Sequence, residues 1–197
     1  MNEQELSRAA ELLAAGEVVA IPTETVYGLA ADPRVPGAAA RIFAIKGRPD
    51  TVALPVLAPS KEAALELADG VPPEVDQVLD RWWPGPLTVV LPRSPASASW
   101  ELGGDPETIG LRCPAHEGTL ALLRRTGTLA VTSANAHGSA PLHTAESVRR
   151  AFGASIPLVA DGGRCDGQPS TVATWTADGW VILRHGPVPL DDRGTLG

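Results

Sequence analysis

A chain of 197 residues with 44% hydrophobic and 20% charged residues has enough apolar material for one large core, which excludes an unfolded polar chain. A net charge of −7, with an isoelectric point near 5.1, excludes a surface that grips nucleic acid by overall positive charge, and leaves room for a local cationic cleft selecting a small anion. No apolar run reaches membrane-spanning length, the start Met1-Asn2-Glu3-Gln4-Glu5 is too acidic for a secretory signal, and two distant cysteines, Cys113 and Cys165, form no zinc motif. The expectation is a cytoplasmic protein without membrane contact or protein-bound metal.

In chain order, Leu6, Ala9, Ala10, Leu12 and Leu13 recur at helical spacing, and Gly16 is placed to end that helix. Val18 to Ile21 reads as a buried strand stopped by Pro22. A loop follows with Thr23, Glu24, Thr25 and Tyr27, the only tyrosine of the chain, whose ring is expected in the core with its hydroxyl bonded. Ala38 to Ile45 is helical and ends in a Lys46-Gly-Arg-Pro49 loop. Leu54 to Ala58 is a short strand, Ser60 caps a helix to about Ala68, and Pro73 starts another to Trp82. Leu87 to Leu91 is a strand, and 92–106, rich in Ser, Pro, Ala and Gly, is the longest loop and is expected to be mobile. Thr108 to Arg112 is a strand, Glu117 to Arg125 a helix, and Leu129 to Val131 a central strand running into Thr132-Ser-Ala-Asn135. Thr144 caps a helix to Phe152, and Ile156 to Ala160 is a strand. Asp161 to Pro169 is a Gly-rich loop, and 170–175 with 180–183 form a hairpin. About seven strands and four or five helices without a linker predict a single α/β (α+β) domain over 1–197. Its mixed, twisted sheet is flanked by helices, with a core over about 5–186 and a frayed tail over 187–197.

Of 16 basic residues only Lys46 and Lys61 are lysine, so a lysine beside Arg48 between Gly and Pro suggests a point charge and a flat fork set against phosphate and carboxylate oxygens. Polar loops recur after apolar strands: Thr23/Thr25/Tyr27, Lys46/Arg48, Thr108/Arg112, Ser133/Asn135, Ser170/Thr171 and Arg184. In α/β sheets such groups converge in the crevice at strand ends. Their guanidiniums, ammonium and hydroxyls suit a polyphosphate with a small carboxylate, not hydrolysis by paired carboxylates or a histidine. Neither a P-loop nor G-x-G-x-x-G, H-E-x-x-H or G-x-S-x-G is present, and the four histidines lack metal-ligand spacing. Taken singly, Ser133 and Asn135 read as a strand-ending turn, and Ser170 and Arg184 as ordinary hairpin residues.

Six blocks in order carry a family resemblance: Pro22-Thr-Glu-Thr-Val-Tyr-Gly28, Lys46-Gly-Arg-Pro49, Trp83-Pro-Gly-Pro-Leu-Thr88, Arg112-Cys-Pro114, Thr132-Ser-Ala-Asn135 and Pro169-Ser-Thr-Val172. Together the chain resembles the YrdC/TsaC family of threonylcarbamoyl-AMP synthases, short single-domain type. The resemblance implies that L-threonine, bicarbonate and ATP, with Mg2+ carried by the ATP, give threonylcarbamoyl-AMP and pyrophosphate. The product serves N6-threonylcarbamoyladenosine formation on tRNA through a TsaD-type transferase. The family's K-x-R…S-x-N pattern falls on Lys46, Arg48, Ser133 and Asn135 as catalytic residues, with Lys46 neutralising charge in the transition state. Thr25, Arg112 and Ser170 are implied for threonine, Arg112 clamping its carboxylate, and Arg48, Thr108, Ser133, Asn135, His143 and Arg184 for ATP. The chain departs from many members in carrying Val52 and Leu57 where they have Asn and His, and His137 where they have Ser. Two alternatives stand beside the synthase: a YrdC-like paralogue with another carbamoyl substrate, and a double-stranded RNA or tRNA-binding module without turnover.

Overall fold

The computed structural model describes residues 1–136 and 138–190; His137 and 191–197, and with them the expectations placed on them, lie outside the described residues. Among the described residues the chain forms six α-helices and nine strands, more than the sequence pattern predicts. The helices are α1 (Glu3–Ala14), α2 (Ala38–Lys46), α3 (Lys61–Leu65), α4 (Pro73–Trp82), α5 (Glu117–Thr126) and α6 (Ala145–Phe152). The strands are β1 (Val19–Ile21), β2 (Gly28–Ala31), β3 (Val56–Leu57), β4 (Leu87–Pro92), β5 (Thr108–Arg112), β6 (Leu129–Ser133), β7 (Leu158–Val159), β8 (Thr171–Thr176) and β9 (Gly179–Arg184). The unforeseen strand is β2: its Gly-Leu-Ala-Ala has weak strand propensity, and pairing to β1 and β6 on both sides overrides that.

The α/β expectation holds, as one mixed sheet in the order β7-β1-β2-β6-β3-β5-β4-β8-β9. Five of its neighbour pairs are antiparallel, and three (β1/β7, β3/β5, β4/β8) are parallel. Successive strand side chains point to opposite faces, and the sheet uses this alternation consistently. Leu87, Val89, Leu91, Ile109, Leu111, Val56 and Ala173 belong to the larger apolar cluster on one face. On the other face α1 and α5 bury Val19, Ile21, Ala30, Leu129 and Val131 with Leu6, Leu13, Leu122 and Leu123. Those two helices cover only the β1–β2–β6 half of that face; the half over β5, β4 and β8 is the wall of a cleft.

Both segments expected to be loose make packing contacts where they are described. Loop 92–106 is packed: it carries a 3-10 turn at Pro95–Ser97, buries Ser97 and Leu102, and bonds Leu54 N to Leu102 O and Gly104 N to Asp50 O. The tail is held through Leu190, because Val188 N and O both bond the buried Thr171 hydroxyl, and Val188 and Leu190 are buried. Backbone groups that find fixed partners do not fray, whatever their composition.

Tyr27 is fully buried, as expected, and its hydroxyl donates to Gly163 O at 2.8 Å and accepts from Gly162 N at 3.3 Å. Burial pushes its phenol up to about 12. Tyr27→Phe keeps the ring and removes both bonds. The expected loss is about 1–3 kcal/mol of stability by chemical denaturation, with faster amide exchange confined to 161–169.

Candidate active site

Alternate residues of neighbouring strands make the cleft, which holds about 380 Å3: Thr88 and Val90 of β4, Thr108, Gly110 and Arg112 of β5, Val172 of β8, with Ser170 just before it. The register sets Val90 against Gly110, and Thr88 against Val172. The site therefore lies across a sheet face, not solely in a crevice beyond strand ends, because so antiparallel a sheet leaves one face uncovered without crossover helices. The loop 23–27 and residues 48–55 close it from the side.

Gly47 caps α2 at φ 59°, the left-handed conformation that reverses the chain, so Arg48 returns toward the cleft. The Arg48 fork donates to Val52 O, to Ala53 O at 3.0 Å and to Thr132 Oγ1 at 3.1 Å. Lys46 is the last residue of α2, not a loop cation, and is nearly inaccessible. Its ammonium donates to Ser133 O, to Asn135 O at 2.7 Å and to Asn135 Oδ1 at 3.3 Å. Ser133 Oγ donates to the same Oδ1, while Asn135 Nδ2 donates to Ala136 O and Ser139 O. Lys46 and Asn135 thus lock the 133–136 turn, and neither lines the cleft.

Arg112 ends β5 and is buried; Nε donates to Gly85 O at 3.1 Å, and Nη2 to Glu24 Oε1 at 2.6 Å and Thr25 Oγ1 at 3.1 Å. The Thr23 hydroxyl is committed to Val26 O, so Thr25 donates to Thr23 at 2.8 Å and accepts from Arg112. Across the cleft, Arg184 donates through Nε and Nη2 to Ser170 O, and through Nη2 to Ser170 Oγ, which also bonds Thr88 Oγ1 at 2.9 Å. Burial, then the charges of Arg112 and Arg48, push the Arg184 guanidinium down from its ordinary value; burial does the same to Arg48. Three guanidiniums sharing one cleft repel one another, an arrangement that an anion relieves.

A family model for Sua5/YciO/YrdC, described as "Telomere recombination", matches residues 11–186. The chain belongs to the Sua5/YciO/YrdC family. It is 38% identical over 194 residues to the threonylcarbamoyl-AMP synthase of Pyrococcus abyssi (strain GE5 / Orsay), covering 98% of this chain and 57% of that protein. It is 36% identical over 189 residues to the enzyme of the same name from Bacillus subtilis (strain 168), covering 95% of this chain and 55% of that one. The structure of P. abyssi Sua5 complexed with L-threonine superposes with a TM-score of 0.87 at 36% identity, over 96% of this chain and 56% of that chain. The chain spans little more than half the length of these relatives.

Set in this family's fold, the residues expected from sequence divide in two. Thr25, Arg48, Thr108, Arg112, Ser133, Ser170 and Arg184 converge on the cleft. Lys46, Asn135 and His143 do not; His143 Nδ1 bonds Cys165 O at 2.7 Å and ties the 161–169 loop. Val52 and Leu57 both line the cleft and make that wall apolar. Sequence reasoning missed Thr132 as a partner of Arg48 and Thr88 as a partner of Ser170, although Thr88 shares strand parity with Val90 and so faces the cleft. It also missed Glu24, which stands between two recognised threonines.

Lys46→Ala would remove three hydrogen bonds from a part-buried turn and leave Asn135 O without its donor. It is expected to lower stability by about 1–3 kcal/mol. An unaltered melting curve would contradict the assigned contacts.

Proposed function

We propose that this chain is an L-threonylcarbamoyladenylate synthase, forming threonylcarbamoyl-AMP and pyrophosphate from L-threonine, bicarbonate and ATP. The observation that carries the reading is the convergence of Arg48, Arg112 and Arg184, with the hydroxyls of Thr25, Thr88, Thr108, Ser133 and Ser170, on one cleft beside an apolar wall. It suits a polyphosphate, a flat base and an amino-acid carboxylate, and the relatives' names and the threonine-bound P. abyssi structure agree with it. In this reading Arg112 takes the threonine carboxylate, while Arg48 and Arg184 take phosphate oxygens. Threonine's amine is carboxylated to a carbamate, a carbamate oxygen attacks the α-phosphorus, and the bond to pyrophosphate breaks. Orientation and charge stabilisation supply the catalysis, with no side-chain nucleophile. Lys46 takes a new role: its charge holds Ser133 and the 133–136 turn in place instead of touching substrate.

Magnesium enters on the nucleotide as part of the substrate. The residues fit that better than a resident ion: among the described residues no group of three His, Cys, Asp or Glu gathers, and Glu24 is already committed to Arg112. The product then passes to a TsaD-type transferase for tRNA modification, in the cytoplasm. No described helix is long and apolar enough to cross a membrane.

The direct test is pyrophosphate release from MgATP by the purified chain, omitting threonine and bicarbonate in turn; the expected result is release that needs both. Release without threonine would replace this reading with a paralogue. Arg112→Ala is expected to raise the KM for threonine by about tenfold or more with a smaller change for ATP, and equal losses would contradict the assignment.

A pH effect follows from Lys46, whose ammonium is pushed down to about 8 from 10.5, chiefly by burial and then by Arg48. The folded value lies below the unfolded one, so between these limits the unfolded chain binds more protons and stability from this group rises with pH. The turn nevertheless needs the ammonium. Activity is therefore expected to fall with a midpoint near 8 while thermal stability holds or rises, and a rate flat well beyond that midpoint would remove the charge of Lys46 from the mechanism.

A further inference from the structure

Glu24 is the one carboxylate that touches a cleft guanidinium among the described residues. Its side chain is 21% exposed and that of Arg112 is 8% exposed, so the pair is mostly shielded from water. Oε1 takes the 2.6 Å bond from Arg112 Nη2, but Oε2 has neither a hydrogen-bond donor nor exposed surface. A half-satisfied buried carboxylate is a poor device for stability, because its desolvation is only partly offset. Its placement has another consequence. Gly85 O, Thr25 Oγ1 and Glu24 Oε1 together take the Nε and Nη2 hydrogens of Arg112, and Nη1 is the one nitrogen of the fork with no partner among the described residues.

The backbone beneath Glu24 is held as tightly as the fork. A Cβ at Gly167 would lie 2.5 Å from Glu24 O and 2.8 Å from Thr25 Cα, so the 161–169 loop closes directly on these two residues. Arg112 thus has a fixed anionic tether on one edge and a donor left over in a cleft it shares with Arg48 and Arg184. An untethered guanidinium there would be drawn to whichever anion carried more charge, which is a polyphosphate before a monocarboxylate.

We propose that Glu24 is a positioning residue that acts through Arg112: it holds the guanidinium at the amino-acid end of the cleft, leaving Nη1 for the substrate carboxylate and keeping the fork off the nucleotide phosphates. The inference rests on the synthase reading, in which Arg112 receives the threonine carboxylate. Glu24 itself contacts no substrate. It sets the division of labour among three arginines that are chemically alike.

The test is Glu24→Gln, which keeps the length and an oxygen acceptor but removes the charge. It is compared with wild type by calorimetric binding of L-threonine and of ATP, and by the KM for each in pyrophosphate release. The expected result is a threonine Kd and KM raised about tenfold or more, ATP affinity unchanged or tighter, and kcat at saturating threonine largely retained. Glu24→Asp, which keeps the charge on a shorter side chain, is expected to recover part of the threonine affinity and serves as the comparison should the Gln variant fold poorly. Parallel weakening of threonine and ATP would make Glu24 merely structural and overturn the proposal, as would unchanged threonine affinity in the Gln variant. Failure of the underlying synthase reading shows itself separately, as wild-type protein that does not bind threonine at all.

Discussion

The alternation of side chains across β4, β5 and β8 is the constraint on which the cleft depends. Leu87, Val89, Ile109, Leu111 and Ala173 cannot reach the core without turning Thr88, Val90, Gly110, Arg112 and Val172 the other way. Core and cleft are therefore two readings of the same strands, and a one-residue slip in β5 would put Arg112 into the apolar cluster and Ile109 or Leu111 into the cleft. The apolar packing that holds the register is also what aims the site.

A second constraint follows from burying cations in an acidic protein. Lys46 and Arg112 are both withdrawn from water, and each is satisfied by oxygens from a distant part of the chain: the 133–135 turn for Lys46, and Gly85 with the 24–25 loop for Arg112. Each cation closes a long-range loop while fixing a polar segment at the cleft. That is why substitutions here mix stability with function: the interactions that shape the site are also contacts that join α2 to the end of β6, and β5 to the 23–27 loop.

Much of this was legible in the sequence. The caps Ser60 and Thr144, the stop at Gly16, the strand at Thr108–Arg112 and the hairpin around Asp178 are local signals, and they stand where turn and cap chemistry puts them. Seven of the ten site residues named from sequence reach the cleft. The failures were of long-range origin. Gly28–Ala31 has no strand signal of its own and becomes β2 only because β1 and β6 flank it. Lys46 followed by Gly47 looks like an exposed basic turn, and nothing local reveals that carbonyls almost ninety residues away receive its ammonium. His143 differs again: the resemblance sets it at the nucleotide, while its ring bonds Cys165 O in the 161–169 loop, a pairing with no local signal.

The electrostatics of the cleft join these points. Arg48, Arg112 and Arg184 lie close enough that the charges of the first two press on the third, and Glu24 offsets only one of them. The protein therefore carries an unrelieved positive field in its site, within a chain whose net charge is −7, and tolerates it because Gly85, Thr132, Val52, Ala53 and Ser170 supply neutral oxygens to the forks. Neutral acceptors orient a guanidinium without cancelling its charge, so the field is conserved for a ligand that brings its own negative charges. An anion that binds there adds stability by mass action as well as by Coulomb attraction, and one bearing both phosphates and a carboxylate relieves the most repulsion at once. The same arrangement that makes the free cleft a destabilised part of the fold makes it selective for the most highly charged ligand that fits.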